Sequence, residues 1–389
     1  MEEAVIVAAA RTPVGRCRGQ LAPVPAHILG AAAVKEVVLR AGIDPETIDD
    51  VIFANLMNNE INNMGRMVAL EAGLPISVPG ITLDRQCASS LNALAYGAMQ
   101  IMSGFATTLV VGGVESDSRR NWVMGKTEVP YSVAPPQWVE IHTAPDRIGN
   151  VPMGITAENI AQRYGFKREA LDAFAVRSHH LASKAVAAGR FDEQIVPISY
   201  KGPKGKHVVV DKDEAVRPDC SLATLSALNP CFIADGIVTP GNSSPMSDGA
   251  GALVLMARSL AEEKGLPILG VFKGYAATGV DPNYMGLGPI SATEKLLNQT
   301  GLSVDDIELW ELNEAFASQA LACIKDIGMN PDRVNPNGGA LALGHPLAGT
   351  GAILATKAVY DMRDRKVNNA VITFCVGGGQ GVAVLLTRE

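Results

Sequence analysis

The sequence carries one pattern twice, and this repeat constrains the fold more than any other feature. The stretches AGIDPETIDDVIFANLMNN, residues 41–59, and TGLSVDDIELWELNEAFA, residues 300–317, both run from a glycine through a short acidic segment into an alternating apolar segment. Cys87 follows the glycine of the first stretch by 45 residues, and His345 follows that of the second by 44. A segment rich in small residues and then an apolar strand follow each of them. The chain is therefore predicted to contain two copies of one unit.

Both copies close in the same way, which sets the predicted boundaries. A glycine-rich turn enters an apolar strand in DGAGALVLMA, residues 248–257, and in GGGQGVAVLLT, residues 377–387. Strands that alternate with helices are typical of largely parallel sheets covered by helices. We predict an α/β fold with an N-terminal unit at 1–268 and a C-terminal unit at 269–389. The first unit contains an insertion at about 119–247 that the second lacks.

Length, charge and cysteine spacing narrow the classes of protein to which this chain can belong. A chain of 389 residues exceeds one ordinary domain, and its 47% hydrophobic and 19% charged residues are typical of a globular protein. The net charge of −7 argues against a nucleic-acid partner. The N-terminal stretch is acidic where a signal peptide is basic, and no segment resembles a membrane span. The six cysteines lack metal-ligand spacing, so we expect a reduced, cytoplasmic protein without a bound metal or a membrane partner.

Cys87 and His345 are the first candidates for chemistry, because each is predicted to open the central helix of its unit. A pseudo-twofold arrangement of the units would bring the two helix starts together. A thiol at a helix N-terminus is expected to have a lowered pKa. Taken alone, Cys87 fits a buried structural cysteine equally well, and His345 fits a core histidine.

Cys375 and Asn313 follow predicted strands and are the second pair of candidates. Cys375 precedes VGGGQG, whose backbone N–H groups suit an oxyanion hole, although a tight turn would need the same glycines. Asn313 either holds a water or substrate oxygen or caps the next helix. Ligands gather at strand ends in α/β sheets, and a cysteine activated by a histidine is a nucleophile suited to acyl transfer.

Six motifs together resemble those of the thiolase family, and they run in order along the whole chain. They are VIVAAARTPVG, DRQCASS, TPGNSSPMSDGAGALVL, NEAFA, NGGALALGHPLAGTG and CVGGGQG. The resemblance implies the thiolase fold: two duplicated βαβαβαββ-type units packed as αβαβα layers, with an inserted loop domain. It also implies reversible acyl transfer between acyl-CoA and coenzyme A or acetyl-CoA, with coenzyme A as a substrate and no other cofactor.

The resemblance assigns roles to the candidate residues. Cys87 would carry the acyl group as a thioester, and His345 would take the thiol proton. Cys375 would move the proton at the α-carbon. Asn313 would hold a water that forms one oxyanion hole with His345, and the N–H groups of Cys87 and Gly377 would form the other.

The substrate contacts that the resemblance implies lie mostly in the insertion. KGPKGKHVVVDKDEAVRP, residues 201–218, is a basic cluster on an acidic chain, although a solvated hairpin would look the same. The implied contacts fall into a nucleotide group, a pantetheine group and an acyl group. They are Arg217 and Thr224 for the nucleotide, Met153 and Ser244 for pantetheine, and Met285 and Phe316 for the acyl chain.

Other functions and the assembly stay open at this point. A β-ketoacyl synthase-type condensing enzyme has no need of the Cys375 thiol, and a non-catalytic acyl-CoA-binding relative would keep the scaffold alone. Pro152 stands where biosynthetic short-chain thiolases carry histidine, and Ala348 and Gly349 alter the motif after His345, so acyl length and direction are open. The family implies a homodimer or homotetramer and a possible β-oxidation complex partner, with residues 119–138 as contact or flap.

Overall fold

The strands define the architecture, which we describe from a computed structural model over residues 2–127, 129, 131 and 135–388. Within these residues one mixed sheet holds ten strands, and a separate hairpin holds two. The strands in chain order are β1 Ala4–Arg11, β2 Gly15–Arg16, β3 Asp50–Ala54, β4 Gly80–Leu83, β5 Thr108–Ser116, β6 Ile198–Lys201, β7 His207–Val210, β8 Ser247–Ala257, β9 Gly270–Gly279, β10 Leu309–Leu312, β11 Asn369–Val376 and β12 Gln380–Thr387.

The helices alternate with these strands as predicted. They are α1 Ala26–Ala41, α2 Met64–Glu71, α3 Ser89–Met102, α4 Met153–Tyr164, α5 Arg168–Ala187, α6 Leu222–Ser226, α7 Arg258–Glu263, α8 Gly288–Thr300, α9 Ala317–Ile327, α10 Ala340–Leu343 and α11 Thr350–Arg365. The glycines that open the two repeated stretches end α1 and α8. Gly42 has φ 60° and Gly301 has φ 70°, the left-handed conformation that a helix C-terminus favours and that glycine adopts without strain.

The sheet order confirms the duplication, but the expectation of a largely parallel sheet is wrong, because antiparallel strand pairs outnumber parallel ones. The order is β10-β11-β12-β9-β1-β8-β5-β3-β4. In the first half, β1 pairs antiparallel with β8, β8 pairs antiparallel with β5, and β5 pairs parallel with β3. In the second half, β9 pairs antiparallel with β12, β12 pairs antiparallel with β11, and β11 pairs parallel with β10. The two half-sheets meet where β1 pairs with β9 at Val5–Val271 and Ile6–Gly270.

The clusters of buried side chains show the predicted αβαβα layers. Helices α3 and α11 lie between the half-sheets, and their buried residues share one core with strands of both halves, as Leu91, Leu354 and Val384 illustrate. Helices α1 and α2 cover the outer face of the first half. Helices α8 and α9 cover the outer face of the second. The central layer therefore brings equivalent segments of the two units together.

The insertion shares buried apolar clusters with both halves of the molecule. It contains α4, α5, α6 and the β6–β7 hairpin, in which Ile198 pairs with Val210. Residues 128, 130 and 132–134 of the predicted contact segment 119–138 lie outside the described residues. No helix in the described part of the chain is long and apolar enough to span a bilayer.

Candidate active site

The sequence predicts that Cys87 opens α3. In the structure Cys87 lies instead in the turn that precedes this helix. The hydroxyl of Ser89 closes the turn: its oxygen accepts the N–H of Arg85 at 2.7 Å and it donates to the carbonyl of Gln86 at 2.6 Å. Gln86 has φ 46°, a left-handed conformation that costs strain in a non-glycine residue. Strained backbone of this kind is common at functional sites.

The predicted lowering of the Cys87 pKa is also wrong. Loss of solvent around the thiol raises its pKa to about 11. Hydrogen bonds from the backbone N–H groups of Gly377 and of Cys87 itself oppose the rise. The same two N–H groups that the family resemblance assigns to an oxyanion hole therefore converge on the sulfur.

His345 precedes α11 by five residues, so it does not open that helix either. Pro346 follows it, and a 3₁₀ turn at Leu347–Gly349 separates both from the helix. His345 is only 5% exposed, and the hydroxyl oxygen of Ser247 accepts its backbone N–H at 3.1 Å. Burial lowers the pKa of the imidazole to about 4, so the ring is neutral at physiological pH.

Thr350 determines which imidazole nitrogen carries the proton. Nδ1 of His345 lies 2.7 Å from the Thr350 Oγ1. That hydroxyl donates its single proton to the carbonyl of Pro346 at 2.8 Å. Thr350 must then accept from Nδ1–H, because a hydroxyl has one proton and two lone pairs. Nε2 is left unprotonated and available as a base.

Asn313 faces the free nitrogen. It follows β10, and its Nδ2 lies 3.4 Å from Nε2 of His345. Its Oδ1 is buried and has no hydrogen-bond partner among the described residues. Buried polar atoms are normally satisfied, so an orphaned oxygen beside a free base indicates a position for a water or a substrate atom.

Cys375 lies on β11 opposite Gly381 of β12 and is 1% exposed. Burial raises the pKa of its thiol well above the usual value, and the charges of Cys87 and Cys323 raise it further. The thiols of Cys87 and Cys375 are therefore close enough for their charges to interact. All six cysteines are unpaired, so no disulfide competes with either thiol.

The predicted substrate contacts divide into two groups. Met285 and Phe316 share a buried apolar cluster with Cys375, and Met153 packs against that cluster. The backbone N–H of Ser244 donates to the carbonyl of Ala315 at 3.0 Å, which places it next to Phe316.

Arg217 and Thr224 are exposed and lie outside that cluster. The backbone N–H of Arg217 donates to Nδ1 of His179 at 3.2 Å, and Thr224 forms a capping box with Ser221 at the start of α6. Sequence reasoning missed Thr350, although it stands five residues after His345 within the quoted motif.

The arrangement defines a class of site. It combines a half-buried cysteine, a neutral imidazole with a free nitrogen, an amide beside it and backbone N–H groups on the sulfur. A thiol that an adjacent base deprotonates, next to oxyanion donors, is suited to acyl transfer. The described residues contain no group of three or more His, Cys, Asp or Glu side chains placed to hold a metal ion.

Comparison with known proteins identifies the family. Residues 4–259 match the thiolase N-terminal domain, and residues 266–388 match the thiolase C-terminal domain. A 3-ketoacyl-CoA thiolase of Bacillus subtilis is 44% identical over 98% of each chain. An acetyl-CoA acetyltransferase of Pseudomonas aeruginosa is 41% identical over 100% of each chain. The crystal structure of the Bacillus anthracis acetyl-CoA acetyltransferase matches with TM-score 0.95 at 39% identity, covering 100% of this chain and 99% of that one.

The chain therefore belongs to the thiolase family. It is an acyltransferase with the thiolase fold.

Proposed function

We propose that this thiolase transfers acyl groups reversibly between acyl-CoA and coenzyme A or acetyl-CoA through a thioester on Cys87. The observation that carries the proposal is the hydrogen bonding of His345: Nδ1 lies 2.7 Å from the Thr350 hydroxyl, whose own bond to Pro346 assigns the ring proton to Nδ1, and Nε2 faces Asn313. A neutral base is required at this position, because the pKa of Cys87 is about 11 and the thiol is protonated at neutral pH.

The first half-reaction forms the acyl-enzyme. Nε2 of His345 takes the proton of the Cys87 thiol, and the sulfur attacks the thioester carbonyl of the substrate. The bond between that carbonyl and the leaving sulfur breaks, and the leaving thiolate takes the proton of the Cys375 thiol, so that His345 stays protonated and Cys375 becomes a thiolate. The N–H groups of Cys87 and Gly377 stabilise the oxyanion, and each such donor typically contributes roughly 3–4 kcal/mol.

The second half-reaction uses Cys375. In condensation its thiolate removes a proton from the α-carbon of acetyl-CoA, and the carbanion attacks the Cys87 thioester. The bond between the acyl carbon and the Cys87 sulfur breaks, and that sulfur takes its proton back from His345. Thiolysis runs these steps in reverse, so the Cys375 thiol protonates the leaving acetyl-CoA carbanion before coenzyme A takes the acyl group from Cys87. Asn313 Oδ1 would hold a water that, with the protonated Nε2 of His345, stabilises the enolate oxygen; the unpartnered Oδ1 supports this role.

The acyl chain would occupy the apolar cluster beside Cys375. Met285 and Phe316 would line it, and Met153 and Ser244 would contact pantetheine. Arg217 and Thr224, exposed on the insertion, would contact the nucleotide. We propose no resident cofactor, because coenzyme A itself supplies the thiol and the leaving group.

An oligomer is supported by the free edge of the sheet. Strand β4 ends the sheet order, and on its outer side no strand of the described residues pairs with it. Its residue Ile81 is 46% exposed and nearby Ile76 is 84% exposed. Exposed strand edges are usually covered in native proteins, and a twofold axis would pair two such edges. We propose a homodimer, or a homotetramer of two such dimers.

We also propose a cytoplasmic location for the protein, because all six cysteines are unpaired and disulfides are rare in reducing compartments.

Steady-state thiolysis of acetoacetyl-CoA and of longer 3-ketoacyl-CoA substrates tests the function. We expect turnover that depends on coenzyme A, and its loss in Cys87→Ala and in Cys375→Ala. A folded protein that binds coenzyme A but turns over none of these substrates would support the non-catalytic alternative. Turnover by Cys87→Ala at the parent rate would contradict the proposed nucleophile.

A further inference from the structure

The duplicated sheet places a buried glutamate where the second unit has its acid/base cysteine. The last residue of β3 pairs with Gly113 of β5, and the last residue of β10 pairs with Thr373 of β11. Two residues further along these equivalent strands stand Glu115 and Cys375. Each then pairs with a glycine of the next strand, at the same point of the repeat. Glu115 is thus the counterpart of Cys375, and the acyl-transfer mechanism assigns it no role.

The carboxyl group of Glu115 joins two segments. It is fully buried. Its Oε1 accepts the backbone N–H of Met57 at 2.9 Å, in the loop that follows β3. Its Oε2 accepts the backbone N–H of Ala348 at 3.3 Å. Ala348 lies in the 3₁₀ turn immediately after His345 and Pro346.

The turn that carries His345 sits directly on the N-terminal unit. A Cβ at Gly113 would collide with the carbonyl of Ala348, and a Cβ at Gly349 would lie 2.8 Å from the carbonyl of Gly249. Only glycine permits such close backbone contact. The turn belongs to the C-terminal unit, whereas the strands below it belong to the unit that supplies Cys87. Glu115 therefore fixes the turn at the boundary between the two catalytic partners.

We propose that Glu115 is a positioning residue that holds the His345 turn in register with Cys87. The expected effect on turnover rests on the proposed function, whereas the hydrogen bonds by which Glu115 positions the turn do not depend on any activity. Because catalysis needs the base within hydrogen-bond reach of the thiol, a displacement of about 1 Å can cost roughly a hundredfold in rate.

Glu115→Gln is the principal test, since it preserves shape and replaces one of the two oxygens that accept these N–H groups with an NH2 group, which cannot accept. We expect faster hydrogen–deuterium exchange in the segment 346–350 of the variant, at the amides of residues 347–350, since Pro346 has no N–H. We also expect kcat for thiolysis to fall roughly ten- to hundredfold while KM for acyl-CoA stays within about twofold. Glu115→Ala should lower kcat further. If Glu115→Ala does not fold, Glu115→Gln decides the matter alone.

Asn58→Ser is the matched control. Asn58 is also fully buried and joins the same loop to β5 through the backbone of Ser116, with bonds of 3.0 and 3.1 Å, but none of its hydrogen bonds goes to the His345 turn. It should leave exchange at 346–350 and kcat per folded enzyme near the parent values. Unchanged exchange at 346–350 in Glu115→Gln, or an equal loss of kcat in Asn58→Ser, would overturn the proposal. If exchange is faster in Glu115→Gln but the parent protein has no thiolase activity, the proposed function is refuted while the positioning of the turn by Glu115 stands.

Discussion

The imidazole of His345 and the hydroxyl of Thr350 form a hydrogen bond of 2.7 Å in which the imidazole is the donor. The direction follows from the second bond of the hydroxyl, which donates to the carbonyl of Pro346 at 2.8 Å. Thr350 therefore does for the base what a carboxylate does in other catalytic sites: it selects the tautomer that leaves Nε2 free.

Thr350→Val should impair catalysis without disrupting the core. Valine matches threonine in shape but cannot accept from Nδ1–H, so the tautomer and ring orientation are no longer fixed. We expect the rate of Cys87 acylation, measured by quenched flow, to fall roughly ten- to hundredfold. Thr356→Val is the control, since Thr356 is buried on the same helix and donates to the carbonyl of Ala352 at 2.8 Å without contacting His345. Equal rates in the two variants would contradict the role of Thr350.

Cys87 should behave as a thiol rather than as part of a preformed ion pair. Its pKa is raised to about 11, and the pKa of His345 is lowered to about 4, so both groups are neutral between these values. The rate of alkylation of Cys87 by iodoacetamide should therefore rise about tenfold per pH unit from pH 7 to 9, because only the thiolate reacts. Peptide mapping assigns the modified residue. A pH-independent plateau between pH 6 and 8 would indicate a thiolate–imidazolium pair instead.

The free energy of unfolding should decrease as pH rises from about 6.5 to 8. Burial raises the pKa of Glu115 to about 8 and that of Glu311 above the value of 4.5 that both have in the unfolded chain. In that interval the unfolded chain has lost carboxyl protons that the native state keeps, so rising pH favours unfolding. Below about pH 6.5 the buried imidazoles of His179 and His345, whose pKa is lowered to about 4, have the opposite effect. Urea unfolding at fixed protein concentration should show a smaller decrease for Glu115→Gln, which cannot titrate. Identical pH dependence of the two proteins would rule out Glu115 as a contributor.

Met285→Ala should move substrate preference toward longer acyl chains. Met285 is 4% exposed in the apolar cluster that contains Cys375, and its truncation opens space there. We expect kcat/KM to rise for long 3-ketoacyl-CoA substrates relative to acetoacetyl-CoA. Met362→Ala is the control for general loss of packing, because Met362 is fully buried in the central core on α11. A uniform loss across chain lengths in both variants would exclude a specific pocket at Met285.

The repeat in the sequence predicted the two duplicated α/β units well, because both halves must satisfy the same strand pairing; the layered packing followed from the family resemblance. The glycines at 42 and 301, the apolar strands and the small residues of the central helices all express local or repeated constraints. Their signals are visible without knowledge of tertiary contacts.

The details of the site were less predictable, because they arise between the units. The helix starts were placed too early: Ser89 closes a turn around Cys87, and a 3₁₀ turn follows His345. The pKa of Cys87 depends on burial that no local rule reports. Glu115 stands on an apolar strand with no motif of its own, and its place becomes clear only when the strand registers of the two copies are compared.

The central claim is that Cys87 carries the acyl group as a thioester. Intact-mass measurement after brief exposure to acetyl-CoA and longer acyl-CoAs, followed by peptide mapping, tests it most directly. The account predicts one acyl adduct on the peptide containing Cys87, which disappears when coenzyme A is added and is absent in Cys87→Ala. An adduct that maps to another residue, or no adduct on a folded protein with any acyl donor, would contradict it.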